Sequence, residues 1–321
     1  MSIIEQAARR LEELRRSGIE VQRAPAGVVA PIAGQLPARA AQRLEDAKVA
    51  RESDGQPPAV HELLKQPVPS VPARPARQSR QAAIDLNRLA AMGYLTPSGA
   101  RAQLADEFRV IKRPLLNNVH GKGAAAVECA NLIMVTSSVP GEGKTFVAVN
   151  LAISIAMELD KTVLLVDADV SRPSVLSRLG LAPSRGLLDL LTDNSLELAD
   201  VLVRTNIDGL VILPAGSPRR EATELLASEG MERLVAELTS RYSDRVLVFD
   251  APPLLASTES RVLATHMGQI VAVVEAERTP QKVVAQALAT IEECPVVMPL
   301  LNKASRSEVG SYYGYYGPVD N

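Results

Sequence analysis

Tryptophan is absent from this chain, and phenylalanine occurs only three times. The core must therefore be aliphatic, which the 46% hydrophobic content readily supplies. Charge of one sign is also missing: the formal net charge is −2, so no global basic surface points to nucleic acid. Cys129 and Cys294 are the only cysteines and stand far apart, with no CxxC or metal-site spacing. A disulfide framework is excluded, and a reducing compartment is expected. No run approaches the roughly 18 apolar residues that a membrane span needs. The first residues carry mixed charge instead of a signal peptide's apolar stretch. The expectation is a soluble, cytoplasmic protein.

What the chain does have is TSSVPGEGKT at residues 136–145, between an apolar strand pattern and an apolar helix pattern. Strand, glycine-containing loop and Lys-Thr at a helix start form a phosphate cradle. Backbone N–H groups of Gly141, Glu142, Gly143, Lys144 and Thr145 would converge on the anion, at the positive end of the helix. Lys144 would reach the β/γ oxygens, and the Thr145 hydroxyl would hold Mg²⁺. Pro140 and Phe146 flank the cradle and complete the expected nucleotide-contacting stretch. Ser138 stands where the common G-x-x-x-x-G-K-[ST] pattern has its first glycine.

Four segments follow from composition. Residues 1–17 read as an amphipathic docking helix, with Ile4, Ala7, Ala8, Leu11 and Leu14 on one face. Residues 18–81 hold nine of the 22 prolines and little that could be buried, so a disordered linker is expected. Residues 82–304 form the compact domain. Residues 305–321 are a tail with four of the six tyrosines: Tyr312, Tyr313, Tyr315 and Tyr316. Inside the domain, apolar strand patterns at 132–137, 162–166, 210–214, 246–249, 270–275 and 296–301 alternate with helical ones at 146–159, 221–242 and 281–293. This rhythm predicts an α/β fold, a doubly wound and mostly parallel sheet of the P-loop NTPase type (MinD/ParA-like), with ligands at the carboxyl ends of the strands.

Three carboxylates sit at those ends. Asp167 and Asp169 close the VLLVDAD run, two residues apart and so aimed to one side if extended geometry persists. Asp250 ends VLVFD, where Pro252 and Pro253 stop the strand. Single strand-end aspartates usually cap helices or form turns. Three beside a phosphate loop point to Mg-ATP.

These motifs together resemble the bacterial tyrosine kinases. SIIEQAARRLEELRRSG, IDLNRLAAMGYLTP and LADEFRVIKRPLL are similar to the exosortase-associated autokinases of exopolysaccharide gene clusters. The resemblance implies a protein-tyrosine autokinase that modifies Tyr312, Tyr313, Tyr315 and Tyr316 of a neighbouring subunit. In it Lys144 neutralises the transferring phosphates, and Thr145, Asp169 and Asp250 organise Mg²⁺. Asp167, sharing the work with Asp169, takes the phenol's proton, and Asn302 lies at the nucleotide. Asp106, Arg109 and Lys112, spaced by three, resemble an oligomerisation motif and imply a ring of subunits sharing that helix face. Further implied are the cytoplasmic end of a separate membrane polysaccharide co-polymerase as activator, a cognate tyrosine phosphatase, and recruitment to the inner face of the plasma membrane. Ser171 precedes Arg172 where family members often have the arginine one position earlier.

Three rival readings exist. A MinD/ParA-type regulatory ATPase carries an additional signature lysine, but Val139 occupies that position and Pro140 the adjoining glycine's. A GTPase would use N-K-x-D, whereas Asn302-Lys303 is followed by Ser305 in place of the aspartate. A tyrosine tail can also be a plain binding segment whose rings stack on a partner. Tethering beside a phosphate-transfer domain favours its modification.

Overall fold

The computed structural model of the chain describes residues 80–99, 102–123, 125–241 and 245–305. The expected docking helix, the linker up to residue 79 and the four tail tyrosines lie outside the described residues.

Eight strands form one sheet in the order β1-β4-β5-β3-β6-β2-β7-β8. These are β1 (Arg80–Ala82), β2 (Leu132–Ser137), β3 (Thr162–Asp167), β4 (Val203–Thr205), β5 (Leu210–Leu213), β6 (Arg245–Asp250), β7 (Gln269–Glu275) and β8 (Val296–Asn302). All pairings are parallel except that of β4 with β5. Strands β2, β3, β6 and β7 are central and buried on both faces, so they read as unbroken apolar runs. β1 begins two residues before the domain start expected at 82, so Arg80 and Gln81 belong to the sheet. β1 and β4 have three residues each, too few for a periodic signal.

Two layers cover the sheet. On one face lie α1 (Leu86–Ala91), α2 (Ala102–Val119) and α3 (Lys144–Ala156). α3, KTFVAVNLAISIA, is apolar around its whole circumference because it is enclosed between the sheet and α2. α4 (Val175–Arg178) joins that same face through Val175, and the other face carries α5 (Leu187–Thr192), α6 (Leu198–Val201), α7 (Ala222–Leu226), α8 (Glu229–Arg241), α9 (Glu259–Ala264) and α10 (Gln281–Leu288). The single helix expected over 221–242 is two. The Ser228 hydroxyl donates to the Leu225 carbonyl at 2.7 Å and accepts from the Met231 N–H at 3.3 Å, ending one helix and starting the next. Among the described residues, no helix is long and apolar enough to cross a membrane.

β8 is an edge strand. Its Asn302 carbonyl accepts from Ala276 N–H across the junction with β7, so even-numbered residues of β8 turn toward β7 and odd-numbered ones outward. Pro299 is thereby on the outward row.

Lys112 departs from expectation. Asp106 and Arg109 are exposed and paired with each other, but Lys112 is buried, 6% exposed. Its ammonium donates to the Ser154 carbonyl in the last turn of α3 and meets Glu158 Oε1 at 2.7 Å. Steps of three residues fall short of a helical turn by about 60° each, which carries Lys112 away from Asp106 and under the helix. It therefore complements the negative end of α3 within its own subunit instead of sharing an exposed face with Asp106.

Candidate active site

The carboxyl ends of β2, β3 and β6 are adjacent in the sheet, and they bring the loop and the acids together. β2 leads into the phosphate loop. Gly141 and Gly143 have φ of +94° and +96°, which is left-handed backbone that side-chain-bearing residues rarely adopt. Thr136 Oγ1 donates to the Pro252 carbonyl at 2.7 Å, fixing the strand to the turn after β6.

The register pairs Asp167 of β3 with Asp250 of β6. Asp169, just beyond β3, accepts Lys144 Nζ at 2.7 Å, and Asp250 lies 3.5 Å from the same ammonium. The Thr145 hydroxyl donates to Asp250 Oδ2 at 2.7 Å and is 3.1 Å from Ser174 Oγ. Asp167 Oδ2 accepts the backbone N–H groups of Ser174 and Val175, both at 3.0 Å. Its Oδ1 is buried without a hydrogen-bond partner. One ammonium therefore serves three carboxylates, and the excess negative charge suits a divalent cation.

The electrostatics agree. Burial, then the neighbouring Asp250, pushes Asp167 up to about 7. Burial pushes Asp250 up to about 6, with Lys144 pulling it back. Burial works against the Lys144 charge, but Asp250 and Asp169 outweigh it and hold the ammonium above its ordinary value. Among the described residues no three acids, histidines or cysteines form a complete metal site by themselves. A hydroxyl, carboxylates and the phosphate oxygens of a nucleotide would share the ion, as is usual for Mg²⁺.

A cavity of about 950 Å³ opens over this cluster. Pro140, Gly141, Gly143, Lys144, Thr145, Phe146 and Asp169 line it. Asp167 lies behind its wall, 1% exposed, and is not a lining residue. Asp169 is thus the aspartate that an incoming group meets first. Two of the expected nucleotide-contacting side chains instead brace the loop. The Glu142 carboxylate is buried and turned inward, accepting Val139 N–H at 2.8 Å and Thr279 Oγ1 at 2.6 Å. Asn302 Nδ2 donates to the Glu142 carbonyl at 2.8 Å.

Other lining residues were not anticipated: Met92, Tyr94, Arg178, Ser257, Glu259 and Lys303. Tyr94 packs on Phe146 with ring centroids 5.1 Å apart. Its segment is held by Asn150 of α3, whose Oδ1 accepts Leu95 N–H at 2.7 Å. Burial works against the Glu259 charge, but the Ser257 hydroxyl that it accepts, with Thr223 of α7 and Ser171 nearby, holds its carboxyl below the ordinary value. No motif spacing announces these positions, because they meet only when separate loops converge.

An AAA domain family profile matches residues 130–298. Tyrosine-protein kinase YwqD of Bacillus subtilis is 32% identical over 190 residues, covering 59% of this chain and 78% of its own length. Tyrosine-protein kinase wzc of Salmonella typhimurium is 34% identical over 189 residues, 58% of this chain, and the match spans 26% of that protein's length. The kinase domain of Escherichia coli tyrosine kinase ETK superposes with a TM-score of 0.52 at 26% identity, covering 63% of this chain and 77% of that domain.

Proposed function

Because the chain belongs to the bacterial tyrosine-protein kinases, within the wider AAA domain family, we propose that it transfers the γ-phosphoryl group of ATP to tyrosine hydroxyls of its own kind. The observation that carries this reading is the contact of Lys144 and Thr145 with Asp169 and Asp250 at the wall of one cavity.

The phosphate loop binds the nucleotide through its N–H groups, and Lys144 leaves Asp169 to neutralise the phosphate oxygens. Thr145 and Asp250 are the residues that would hold Mg²⁺ with the phosphates, with Asp169 contributing at the cavity wall. When bound, the ion neutralises charge on the phosphate oxygens. The phenol oxygen attacks the γ-phosphorus, the bond from that phosphorus to the β–γ bridging oxygen breaks, and ADP leaves. A phenol with a pKa of about 10 holds its proton at neutral pH and must lose it during attack. Asp169 receives it at the cavity surface, backed by Asp167, whose raised pKa of about 7 suits a proton acceptor near neutrality.

Tyr312, Tyr313, Tyr315 and Tyr316 are the proposed acceptors, delivered between subunits of a homo-oligomer. Each phosphate adds about −1.5 to −2 charges, so modification would loosen the assembly and a tyrosine phosphatase would reset it. The biological setting is exopolysaccharide polymerisation and export, at the cytoplasmic end of a membrane co-polymerase. The resemblance of the segments around residues 1–17, 84–97 and 104–116 supports that setting.

Peptide mass spectrometry of the tail after incubation with Mg-ATP tests the activity. Phosphate is expected on the tail tyrosines of the wild type and none on Lys144→Met. Equal phosphate on that variant would reject the assignment of the site.

A further inference from the structure

The phosphate loop is gripped by the ends of β7 and β8, which carry none of the acidic cluster. Lys303, immediately after β8, donates from Nζ to the Gly141 carbonyl at 2.8 Å and pairs with Glu275 Oε2 at 3.1 Å. Asn302 holds the next carbonyl, that of Glu142, at 2.8 Å. From within, the Glu142 carboxylate accepts Thr279 Oγ1 at 2.6 Å, Glu275 N–H at 3.2 Å and Val139 N–H at 2.8 Å. Two consecutive loop carbonyls and the side chain between them are thus fixed to one point of the sheet edge.

A peptide group is planar and trans, so a carbonyl held on one side aims the following N–H to the other. Fixing the Gly141 carbonyl orients the Glu142 N–H, and fixing the Glu142 carbonyl orients the Gly143 N–H. Both are donors that an anion in the cradle needs. The fit is close: a Cβ on Gly143 would stand 2.2 Å from Asn302 Nδ2. The bracket also holds unusual backbone, since Lys303 has φ +61° and Glu277 φ +60°. Non-glycine residues keep such angles only where their neighbours over-determine them.

We propose that Asn302, Lys303 and Glu142 are positioning residues that hold the phosphate loop in its anion-binding shape before the nucleotide arrives. This inference rests on the nucleotide-site reading above and deepens it. The bracket acts on the loop peptides that cradle a diphosphate, so it serves ADP and ATP alike. It has no part in moving the γ-phosphoryl group. Its loss therefore appears in nucleotide affinity and KM more than in kcat.

The test uses the full-length chain with Mg²⁺ and fluorescent N-methylanthraniloyl-ADP. Lys303→Met is expected to weaken ADP binding about tenfold, the scale of one charge-assisted hydrogen bond. KM for ATP should rise by a similar factor while kcat falls less than threefold, with the nucleotide-free melting temperature little changed. Lys303→Arg, which keeps a cationic donor, should recover most of the affinity. Thr279→Val, nearly isosteric and not among the cavity-lining residues, supplies an independent variant and should weaken binding about threefold. Lys303→Met and Thr279→Val both within twofold of a wild type that binds would overturn the bracket alone. So would affinity losses that simply track a lowered melting temperature. A wild type that does not bind Mg-ADP would sink both the bracket and the nucleotide site.

Discussion

Asp167 and Asp250 stand side by side on neighbouring strands, almost without water, with one ammonium between them and Asp169. Their raised values, about 7 and about 6, contrast with roughly 3.9 for an aspartate in an unfolded chain. Between about pH 4 and 7 the folded protein therefore binds more protons than the unfolded one. Stability then falls as pH rises, by at most about 1.4 kcal/mol per pH unit for each group. His120 pulls the opposite way, but its ring is exposed and solvent screens it. In EDTA, the urea midpoint should be higher at pH 5 than at pH 7.5, and Asp167→Asn should flatten the slope. A midpoint that climbs over that interval contradicts the assignment. Mg-ADP needs the ionised acids, so its binding should tighten over the same range.

At the scale of elements, the junction of α2 with α3 separates two roles that spacing alone merges. Lys112→Ala removes an ammonium from the last turn of α3 and leaves Glu158 without its nearest partner, so it should cost about 1–3 kcal/mol. Arg109→Ala alters an exposed pair and should change stability by less than about 0.5 kcal/mol. Urea denaturation of the two variants decides, and the reverse ranking would put Lys112 back on the shared outer surface. The central strands and α3 were legible because burial on every side leaves continuous apolar runs, and the carboxylates were legible because those runs stop at them. Lys112 was misread because its pattern was matched residue by residue, without the drift of a 3.6-residue helix. Glu142 and Asn302 were expected at the nucleotide, but the Glu142 side chain is turned inward by Thr279 and Glu275, more than 130 residues away in sequence, and Asn302 donates to the Glu142 carbonyl. β1 and β4 owe their strand geometry to pairing partners, which no local propensity encodes.

For the whole molecule, the proposed switch makes size the readout. Light scattering should find the phosphorylated protein in smaller assemblies than the dephosphorylated one. Matching size distributions for a phosphorylated and a tail-truncated sample on the one hand, and the bare protein on the other, would reject the switch. The outward row of β8 bears on what happens when many copies gather in one place. Pro299 puts a ring where a backbone donor would otherwise face outward, so a strand from another copy finds the ladder broken at its middle. Pro299→Val would restore that donor amid Val297 and Leu301. Such a variant should turn cloudy at high concentration while binding Mg-ADP like the wild type, and a clear solution would mean that other features guard the edge. If the test comes out as expected, one imino acid is what keeps a concentrated solution of the protein from polymerising edge to edge.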